Sequence, residues 1–311
     1  MRAGVKADEK ESIKYEQSVG LRGRKGSPTV CAMHIEEPRQ QNVRTFRTEI
    51  LSRVEAAARA AGEIALQFFR PGERTAARIS YKNGGSPVTE ADLAVDRYLL
   101  EVAGALVPDA GWLSEETADT PARLSRRRLF VVDPIDGTAA FTRGDPSWAV
   151  SIALVEDGRP VVGVVHAPAL GRTFSGAAGA GAYLNGAPLV TPKRQGVAGA
   201  TVIAPRGLHS ALTARDLIIA PRIPSLALRL VDIAAGRHDL VITTPNARDW
   251  DIAAADVILA EAGAALSEAD AGPLVYNRPS LARGMLIAAE KSLMDESVRL
   301  AHQISEGSFH S

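Results

Sequence analysis

Residues 129–138, Leu-Phe-Val-Val-Asp-Pro-Ile-Asp-Gly-Thr, run from four apolar side chains directly into two closely spaced aspartates. The apolar run predicts a short buried strand, and the proline and glycine that follow predict a tight turn at its end. In such a turn the carboxylates of Asp133 and Asp136 and the carbonyl of Ile135 can converge on one point. Hard oxygen ligands of this kind suit Mg²⁺ or Mn²⁺. Taken alone, the stretch fits an ordinary turn with solvated aspartates equally well.

Three further acidic motifs lie at predicted ends of helices or strands. SPVTEAD at residues 86–92 is typical of a helix cap and places Asp92 in the first turn of that helix. LSEE at residues 113–116 contains two adjacent glutamates, which by themselves would be a solvated surface. DWDI at residues 249–252 opens an alanine-rich helix, whose dipole favours negative charge at Asp251. Each motif therefore has a plain structural explanation when it is considered separately.

Together, in this order and at these separations, the four motifs resemble those of the inositol monophosphatase superfamily. The combination of DPIDGT with a WD more than a hundred residues later is the most specific part of this resemblance. Members of that superfamily are magnesium-dependent, often lithium-sensitive phosphomonoesterases. Within it, SPVTEAD, LSEE and the Pro245-Asn246 pair before WD are most similar to bacterial 3′(2′),5′-bisphosphate nucleotidases.

The resemblance implies a set of metal ligands. One Mg²⁺ would be held by Glu115, Asp133 and the carbonyl of Ile135, and a second by Asp133, Asp136 and Asp251. Two or three ions are expected in all, and Mn²⁺ could substitute for Mg²⁺. Li⁺ would inhibit the enzyme by occupying the second metal position. One ion would activate water and the other would stabilise charge on the leaving oxygen, as in other two-metal sites.

The resemblance also implies catalytic and substrate-binding residues. Asp92 and Thr138 would orient and deprotonate the attacking water, with Glu115 acting through its metal. The backbone N–H groups of Gly137 and Thr138 would hold phosphate oxygens. Lys82, in a glycine-rich loop, matches a lid over the metal site. Asp251 is expected to contact substrate as well as metal.

Some residues depart from the family pattern. Ala139 and Ala140 stand where related phosphatases often have polar side chains. Thr244 stands where inositol-cleaving members typically place a glutamate, which weakens the inositol interpretation. Guanidinium groups in the second half of the chain would suit binding of a second phosphate group on the substrate. An equally good explanation is that these arginines are exposed charges that keep the protein in solution. These arginines are Arg206, Arg215, Arg222 and Arg229.

Hydrophobic periodicity predicts the fold class. Apolar residues spaced three and four apart from Phe46 to Phe68 predict a long helix. Residues 148–165 predict a β-hairpin, and His166, which continues its second strand, is interpreted as a structural residue. After residue 191, helices and strands alternate, which indicates a second α/β layer. We therefore expect an α/β protein with an α+β N-terminal half. The resemblance adds that these elements form the layered α-β-α-β-α, sugar-phosphatase-like fold with two subdomains.

The chain is expected to have three regions. Residues 1–42 are mostly polar and lack a sustained hydrophobic periodicity, so a disordered extension is predicted there. Residues 43–195 would form an N-terminal α+β subdomain with most of the metal ligands. Residues 196–311 would form a C-terminal α/β subdomain with substrate-facing residues.

Composition limits the class of function. The 36 Lys and Arg residues balance the 36 Asp and Glu residues, so nothing favours a nucleic acid polymer as partner. A single cysteine and the lack of an eighteen-residue apolar run predict a cytoplasmic protein that does not span a membrane. Homodimers are common among similar proteins, so a homodimer is expected by analogy only.

The sequence supports one leading function and two alternatives. The leading hypothesis is Mg²⁺-dependent removal of the 3′-phosphate from 3′-phosphoadenosine 5′-phosphate, which yields AMP and phosphate. The first alternative is an inositol-1-monophosphatase or another small-molecule phosphatase, including one for histidinol phosphate. The second is a non-catalytic protein whose acidic cluster binds a metal for interaction with partners. A small phosphorylated metabolite is the expected partner of the first two.

Overall fold

The computed structural model describes residues 38–82, 84–269 and 274–307. The helices in these ranges are α1 (Pro38–Leu66), α2 (Glu90–Leu106), α3 (Thr138–Phe141), α4 (His209–Thr213), α5 (Leu226–Ala234), α6 (Asp249–Ala262) and α7 (Met294–Gly307). The strands are β1 (Ile79–Tyr81), β2 (Pro87–Thr89), β3 (Gly111–Ser114), β4 (Arg128–Asp136), β5 (Ala149–Glu156), β6 (Arg159–Ala167), β7 (Arg172–Ala177), β8 (Gly181–Leu184), β9 (Ala187–Leu189), β10 (Thr201–Ile203), β11 (Ile218–Ile219), β12 (Leu240–Ile242), β13 (Ala264–Glu268) and β14 (Leu286–Glu290).

Two of the predicted boundaries can be compared with these elements. The predicted extension at residues 1–42 lies outside the described residues except for residues 38–42, which already belong to α1. The long helix ends at Leu66, two residues before the end of the apolar spacing that predicted it. The helices of the described residues lack the extended apolar stretch that a membrane-spanning segment requires.

The larger sheet has seven strands in the order β3-β4-β5-β6-β7-β8-β9. β3 and β4 are parallel, whereas every later neighbouring pair is antiparallel. The predicted hairpin is formed by β5 and β6, and the pairing of β4 with β5 shifts register between Asp133 and Asp136. Such an irregularity bends a strand and redirects its side chains. The register shift therefore moves the end of the 129–138 stretch out of the regular hydrogen-bonding pattern between β4 and β5.

The second sheet has five strands in the order β11-β10-β12-β14-β13. β11, β10 and β12 are parallel, and β14 is antiparallel to both of its neighbours. The predicted subdomain boundary at residue 195 falls between the last strand of the first sheet and the first strand of the second. A small antiparallel pair, β1 with β2, precedes α2.

Helices cover both faces of the larger sheet. α1 and α2 pack on one face, where they share a buried cluster with β4, β5 and β6. α5 and α6 pack between the opposite face and the five-stranded sheet. α7 covers the outer face of the five-stranded sheet. The layers thus follow the order α-β-α-β-α, which confirms the predicted fold class.

The central position of α6 explains its composition. Its buried side chains are mainly alanine, valine, isoleucine and leucine, because a helix between two sheets is apolar around most of its circumference. Gly163 of β6 faces this helix, and a Cβ atom built on it would lie 2.4 Å from the carbonyl oxygen of Ala254. The absence of a side chain therefore allows α6 to approach the sheet closely, and α6 carries Asp251 at its start.

Candidate active site

The end of β4 provides two aspartates on a sharp turn. Asp133 is buried, and its Oδ1 accepts a hydrogen bond of 3.1 Å from the backbone N–H of Ile135. Gly137 follows with φ of +94°, a conformation that favours glycine, and it caps the short helix α3. A Cβ atom at Gly137 would also lie 3.1 Å from the carbonyl oxygen of Ser147. The turn expected from the proline and the glycine is therefore present, and it places Thr138 at the start of α3.

Asp92 is held by the cap of α2. Its Oδ2 accepts hydrogen bonds from the backbone N–H of Thr89 at 2.8 Å and from the hydroxyl of Thr89 at 2.6 Å. The predicted helix cap is present and is a capping box, with aspartate in the place of the usual glutamate. The other oxygen, Oδ1, lies 3.2 Å from the hydroxyl of Thr138. The cap thus fixes one oxygen of Asp92 and leaves the other beside the turn after β4.

The two glutamates of LSEE follow β3 and contact the loop between β1 and β2. Nζ of Lys82 lies 2.8 Å from Oε1 of Glu115 and 2.9 Å from Oε1 of Glu116. Burial by itself would lower the pKa of Lys82, but the hydrogen bonds and negative charges of both glutamates outweigh it and raise that pKa. Burial raises the pKa of Glu116 to about 7, although Lys82 opposes this shift. Lys82 therefore neutralises part of an otherwise acidic site.

Asp251 and Asp136 approach from the α5 and α6 side. Asp251 lies in the first turn of α6, where its Oδ2 accepts a hydrogen bond of 2.6 Å from the backbone N–H of Arg248. Oδ2 of Asp136 accepts hydrogen bonds from the hydroxyl of Ser225 at 2.5 Å and from the N–H of Ala227 at 2.6 Å. Burial raises the pKa of Asp136, and these two donors partly offset that effect. The start of α5 therefore orients one oxygen of Asp136.

Glu115, Asp133 and Asp251 converge. One carboxylate oxygen of each lies within 4.8 Å of the corresponding oxygen of the other two. Burial, followed by the negative charges of neighbouring carboxylates, raises the pKa of Asp133 and of Asp251 well above their ordinary values. Buried carboxylates that repel one another are stabilised by a cation between them, and a set made only of oxygen donors suits a hard divalent ion. These residues therefore fit a divalent metal ion.

A cleft opens from this acidic cluster toward the five-stranded sheet. It has a volume of about 1070 Å³, and both Asp136 and Asp251 belong to its wall. Arg206, Arg222 and Arg229 also line it, together with His209 and Thr244, whereas Arg215 is exposed elsewhere. Burial lowers the pKa of Arg229, and the nearby positive charge of Arg222 contributes to that shift. Positive side chains thus lie beside a cluster of carboxylates in one cleft.

Comparison with known protein families agrees with this geometry. The model of the inositol monophosphatase family matches residues 47–306. The chain belongs to the inositol monophosphatase family. The resemblance inferred from the four motifs is thereby confirmed, and the family match favours an enzyme over a non-catalytic metal-binding protein.

Curated relatives of this phosphatase-family chain act on different substrates. A 3′(2′),5′-bisphosphate nucleotidase CysQ of Aggregatibacter actinomycetemcomitans is 31% identical over 242 residues, which cover 74% of this chain and 88% of that protein. A histidinol-phosphatase of Mycobacterium tuberculosis is 36% identical over 219 residues, covering 63% of this chain and 80% of the relative. An inositol-1-monophosphatase of Mesorhizobium japonicum is 32% identical over 248 residues, covering 74% and 89% respectively. The chain is therefore a phosphoric monoester hydrolase, and similarity supports the reaction class more strongly than any one substrate.

Solved structures of family members share the fold. An inositol monophosphatase of Thermotoga maritima superposes with a TM-score of 0.71 at 25% identity, covering 84% of this chain and 99% of that one. An inositol monophosphatase from Anabaena superposes with a TM-score of 0.70 at 26% identity, covering 84% and 97% respectively. The layered architecture is thus that of the inositol monophosphatase family.

The structure brings most of the predicted site residues to one place. Asp92 and Thr138 are in contact, Lys82 contacts Glu115, and the hydroxyl of Thr138 lies 3.0 Å from the carbonyl oxygen of Ile135. Asp136 lies outside the group of three convergent oxygens, although its charge contributes to the raised pKa of both aspartates in that group.

One contact to the site was not expected from the sequence. Ser225 hydrogen-bonds to Asp136, and no motif in the sequence pointed to that partner. Its place as the N-cap of α5 was the available signal, because a serine before an apolar run is typical of a helix start.

Proposed function

We propose that Glu115, Asp133 and Asp251, with Asp136 and the carbonyl of Ile135, hold two or three Mg²⁺ ions. The observation that carries the proposal is the convergence of three carboxylate oxygens within 4.8 Å of one another. Bound divalent ions supply a Lewis acid that neutralises phosphate oxygens and lowers the pKa of water. Mn²⁺ satisfies the same oxygen ligands and should substitute.

Asp92 and Thr138 are proposed to act on the attacking water. Burial raises the pKa of Asp92 to about 6, although its hydrogen bonds with Thr89 and Thr138 oppose that shift. A carboxylate with a pKa close to neutrality is suited to accept a proton. The single hydroxyl proton of Thr138 can be donated to Asp92 or to the carbonyl of Ile135, so this hydroxyl can relay a proton toward Asp92. The N–H groups of Gly137 and Thr138 would hold phosphate oxygens.

Metal dependence is tested by phosphate release from a phosphomonoester after chelation and after return of Mg²⁺ or Mn²⁺. We expect activity to be lost and then restored, and Glu115→Gln to weaken Mn²⁺ binding measured by electron paramagnetic resonance. Millimolar Li⁺ should inhibit the wild-type enzyme. Hydrolysis that is unaffected by chelation would contradict the proposed metal dependence. Insensitivity to Li⁺ would contradict the proposed second metal position.

We further propose a 3′(2′),5′-bisphosphate nucleotide, specifically 3′-phosphoadenosine 5′-phosphate, as substrate. Arg206 and Arg222 line the cleft, and among the described residues their guanidinium groups have no hydrogen bond or ion pair. Within the described part of the chain, the guanidinium of Arg229 donates only to the carbonyl oxygens of residues 224 and 225, at 3.4 Å and 3.3 Å. The negative charges of Asp136 and Asp251 act on Arg229, but none of the three guanidinium groups forms an ion pair with a described carboxylate. Such groups in one cleft are suited to bind a second phosphate. The similarity to a CysQ nucleotidase supports the same choice.

A substrate panel tests this choice. It compares 3′-phosphoadenosine 5′-phosphate with 3′-AMP, inositol 1-phosphate and histidinol phosphate by phosphate release. Higher kcat/KM for the bisphosphate is expected, and Arg222→Met should reduce that preference about 10-fold or more through loss of a charged hydrogen bond. Arg215→Met is the matched control, since Arg215 does not line the cleft. Preference for inositol 1-phosphate or histidinol phosphate would instead support the corresponding alternative.

A further inference from the structure

Asp96 is a buried carboxylate that lies beside the site without belonging to it. It stands one helical turn after Asp92 on α2 and is 6% exposed. Its Oδ1 hydrogen-bonds to the hydroxyl of Ser114, and its Oδ2 lies 2.7 Å from the hydroxyl of Thr117. Ser114 and Thr117 flank the Glu115-Glu116 pair. One side chain of α2 therefore contacts this acidic segment on both sides.

The direction of these hydrogen bonds follows from the chemistry of the groups. Each oxygen of the Asp96 side chain accepts, and the hydroxyls of Ser114 and Thr117 donate to it. The oxygen of Ser114 is then available as an acceptor, and the backbone N–H of Glu116 lies 3.3 Å from it. The oxygen of Thr117 likewise accepts from the indole N–H of Trp112 at 3.3 Å. A carboxylate at position 96 therefore sets the orientation of every hydroxyl in the segment.

The other side of the same segment is attached to β4. The backbone N–H of Glu115 donates to the carbonyl oxygen of Val132 at 3.2 Å, and Val132 directly precedes Asp133. The backbone of Glu115 is thus tied to the strand that carries one convergent carboxylate. Asp96 ties the adjoining residues to the helix that carries Asp92.

We infer that Asp96 is a positioning residue: its carboxylate holds the segment from Ser114 to Thr117 so that Glu115 reaches the oxygen cluster with Asp133 and Asp251. This inference rests on the proposed role of Glu115 as a metal ligand. Residues that orient metal ligands without binding the metal themselves typically contribute 10- to 100-fold to metal affinity. Asp96 is the one carboxylate among the described residues that accepts from both hydroxyls flanking this glutamate pair.

The test is Asp96→Asn in the full-length protein, with Mn²⁺ binding measured by electron paramagnetic resonance. Asparagine has nearly the same shape, but its NH₂ group cannot accept a hydrogen bond, so one of the two hydroxyls loses its acceptor. We expect the Mn²⁺ dissociation constant and the Mg²⁺ concentration for half-maximal activity to rise about 10-fold. At saturating Mg²⁺, kcat should return close to the wild-type value, because the reacting groups are unchanged. A loss of folded protein alone would lower kcat without changing the dissociation constant.

Two controls separate the possible outcomes. Glu101→Gln removes an exposed carboxylate from the same helix and should leave Mn²⁺ binding unchanged. Glu115→Gln tests the underlying assignment: if it leaves Mn²⁺ binding unchanged, the proposed function fails. If Glu115→Gln weakens binding but a folded Asp96→Asn protein binds Mn²⁺ like the wild type, the positioning role is wrong. If Asp96→Asn does not fold, Thr117→Val decides, because it removes one flanking hydrogen bond; unchanged binding would overturn the inference.

Discussion

Oδ1 of Asp92 lies 3.2 Å from the hydroxyl oxygen of Thr138, while Oδ2 of the same carboxylate caps α2 through Thr89. The two oxygens of Asp92 therefore have separate tasks, one structural and one facing the proposed site of chemistry. This separation makes it feasible to change the chemistry of Asp92 while leaving the helix cap intact.

Asp92→Asn should strongly reduce hydrolysis without unfolding the protein. The amide oxygen of asparagine can still accept from Thr89, so the cap is retained, whereas the NH₂ group cannot accept a proton from water. General-base catalysis contributes about 10²- to 10⁴-fold, so kcat should fall by a factor in that range. Phosphate release and circular dichroism measure the two effects separately. Turnover equal to that of the wild type would show that Asp92 is not the base.

Arg283→Met should be strongly destabilising. Nε and Nη2 of Arg283 lie 2.9 Å and 2.6 Å from Oδ1 of Asp249, and both side chains are buried. Burial already raises the pKa of Asp249, and Arg283 is the largest factor opposing that shift. Loss of one partner of a buried ion pair costs about 3–5 kcal/mol.

Urea denaturation measures the cost of Arg283→Met, with Arg53→Met on the exposed face of α1 as control. The double variant Asp249→Asn/Arg283→Met should recover part of the loss, because no uncompensated charge remains. Equal stability of Arg283→Met and Arg53→Met would contradict this account.

His166 should make the folded protein less stable in mild acid. Burial, followed by the positive charge of Arg59, lowers the pKa of His166 to about 4, whereas a histidine in the unfolded chain has its ordinary pKa of about 6.5. Between these values the unfolded state binds more protons, so stability falls as pH decreases from about 6.5 toward 4.

Comparison of wild type with His166→Gln measures this contribution. From pH 7 to pH 5 the wild-type free energy of unfolding should decrease by about 1–2 kcal/mol more than that of the variant. Urea denaturation at both pH values gives the difference. Parallel pH profiles for the two proteins would show that His166 is not protonated on unfolding in this range.

Gly163→Ala should move α6 away from the larger sheet. The added methyl group would lie 2.4 Å from the carbonyl oxygen of Ala254 and 2.6 Å from Cγ1 of Val257, so the helix backbone must shift. We expect a destabilisation of about 1–3 kcal/mol, as for other overpacked cores, together with weaker Mn²⁺ binding because α6 carries Asp251.

Gly104→Ala is the matched control for Gly163→Ala. Gly104 lies within α2, and apart from its chain neighbours and the nearby helix backbone, no atom of the described residues lies within 4 Å of an added Cβ there. This substitution should stabilise the protein by about 0.5–1 kcal/mol, since alanine favours a helix interior over glycine. Similar thermal midpoints for both alanine variants would contradict the predicted contact between β6 and α6.

Local chemistry made part of the site predictable. The cap formed by Thr89 placed Asp92, and the proline and glycine of the 129–138 stretch placed Asp133 and Asp136 on one turn. These features depend on neighbours a few residues away, so sequence alone specifies them. The order of the layers, in contrast, followed from the family resemblance and was confirmed by the fold.

Contacts between distant segments were not predictable in the same way. Asp251 reaches Glu115 and Asp133 because α6 packs between two sheets, and no local rule fixes that arrangement. Ser225 could be identified as a helix cap, but its hydrogen bond with Asp136 depends on how α5 is positioned against β4. The same reason accounts for Asp96, whose partners lie in a separate segment from its own helix.

The late position of Asp251 in the chain affects the order in which the protein can become active during synthesis. A nascent polypeptide that has emerged as far as β9 already contains Asp92, Glu115 and Asp133 but lacks the third convergent carboxylate. On the proposed ligand set, such an incomplete chain binds divalent ions weakly and hydrolyses nothing. Premature termination before α6 would therefore release a fragment without phosphatase activity.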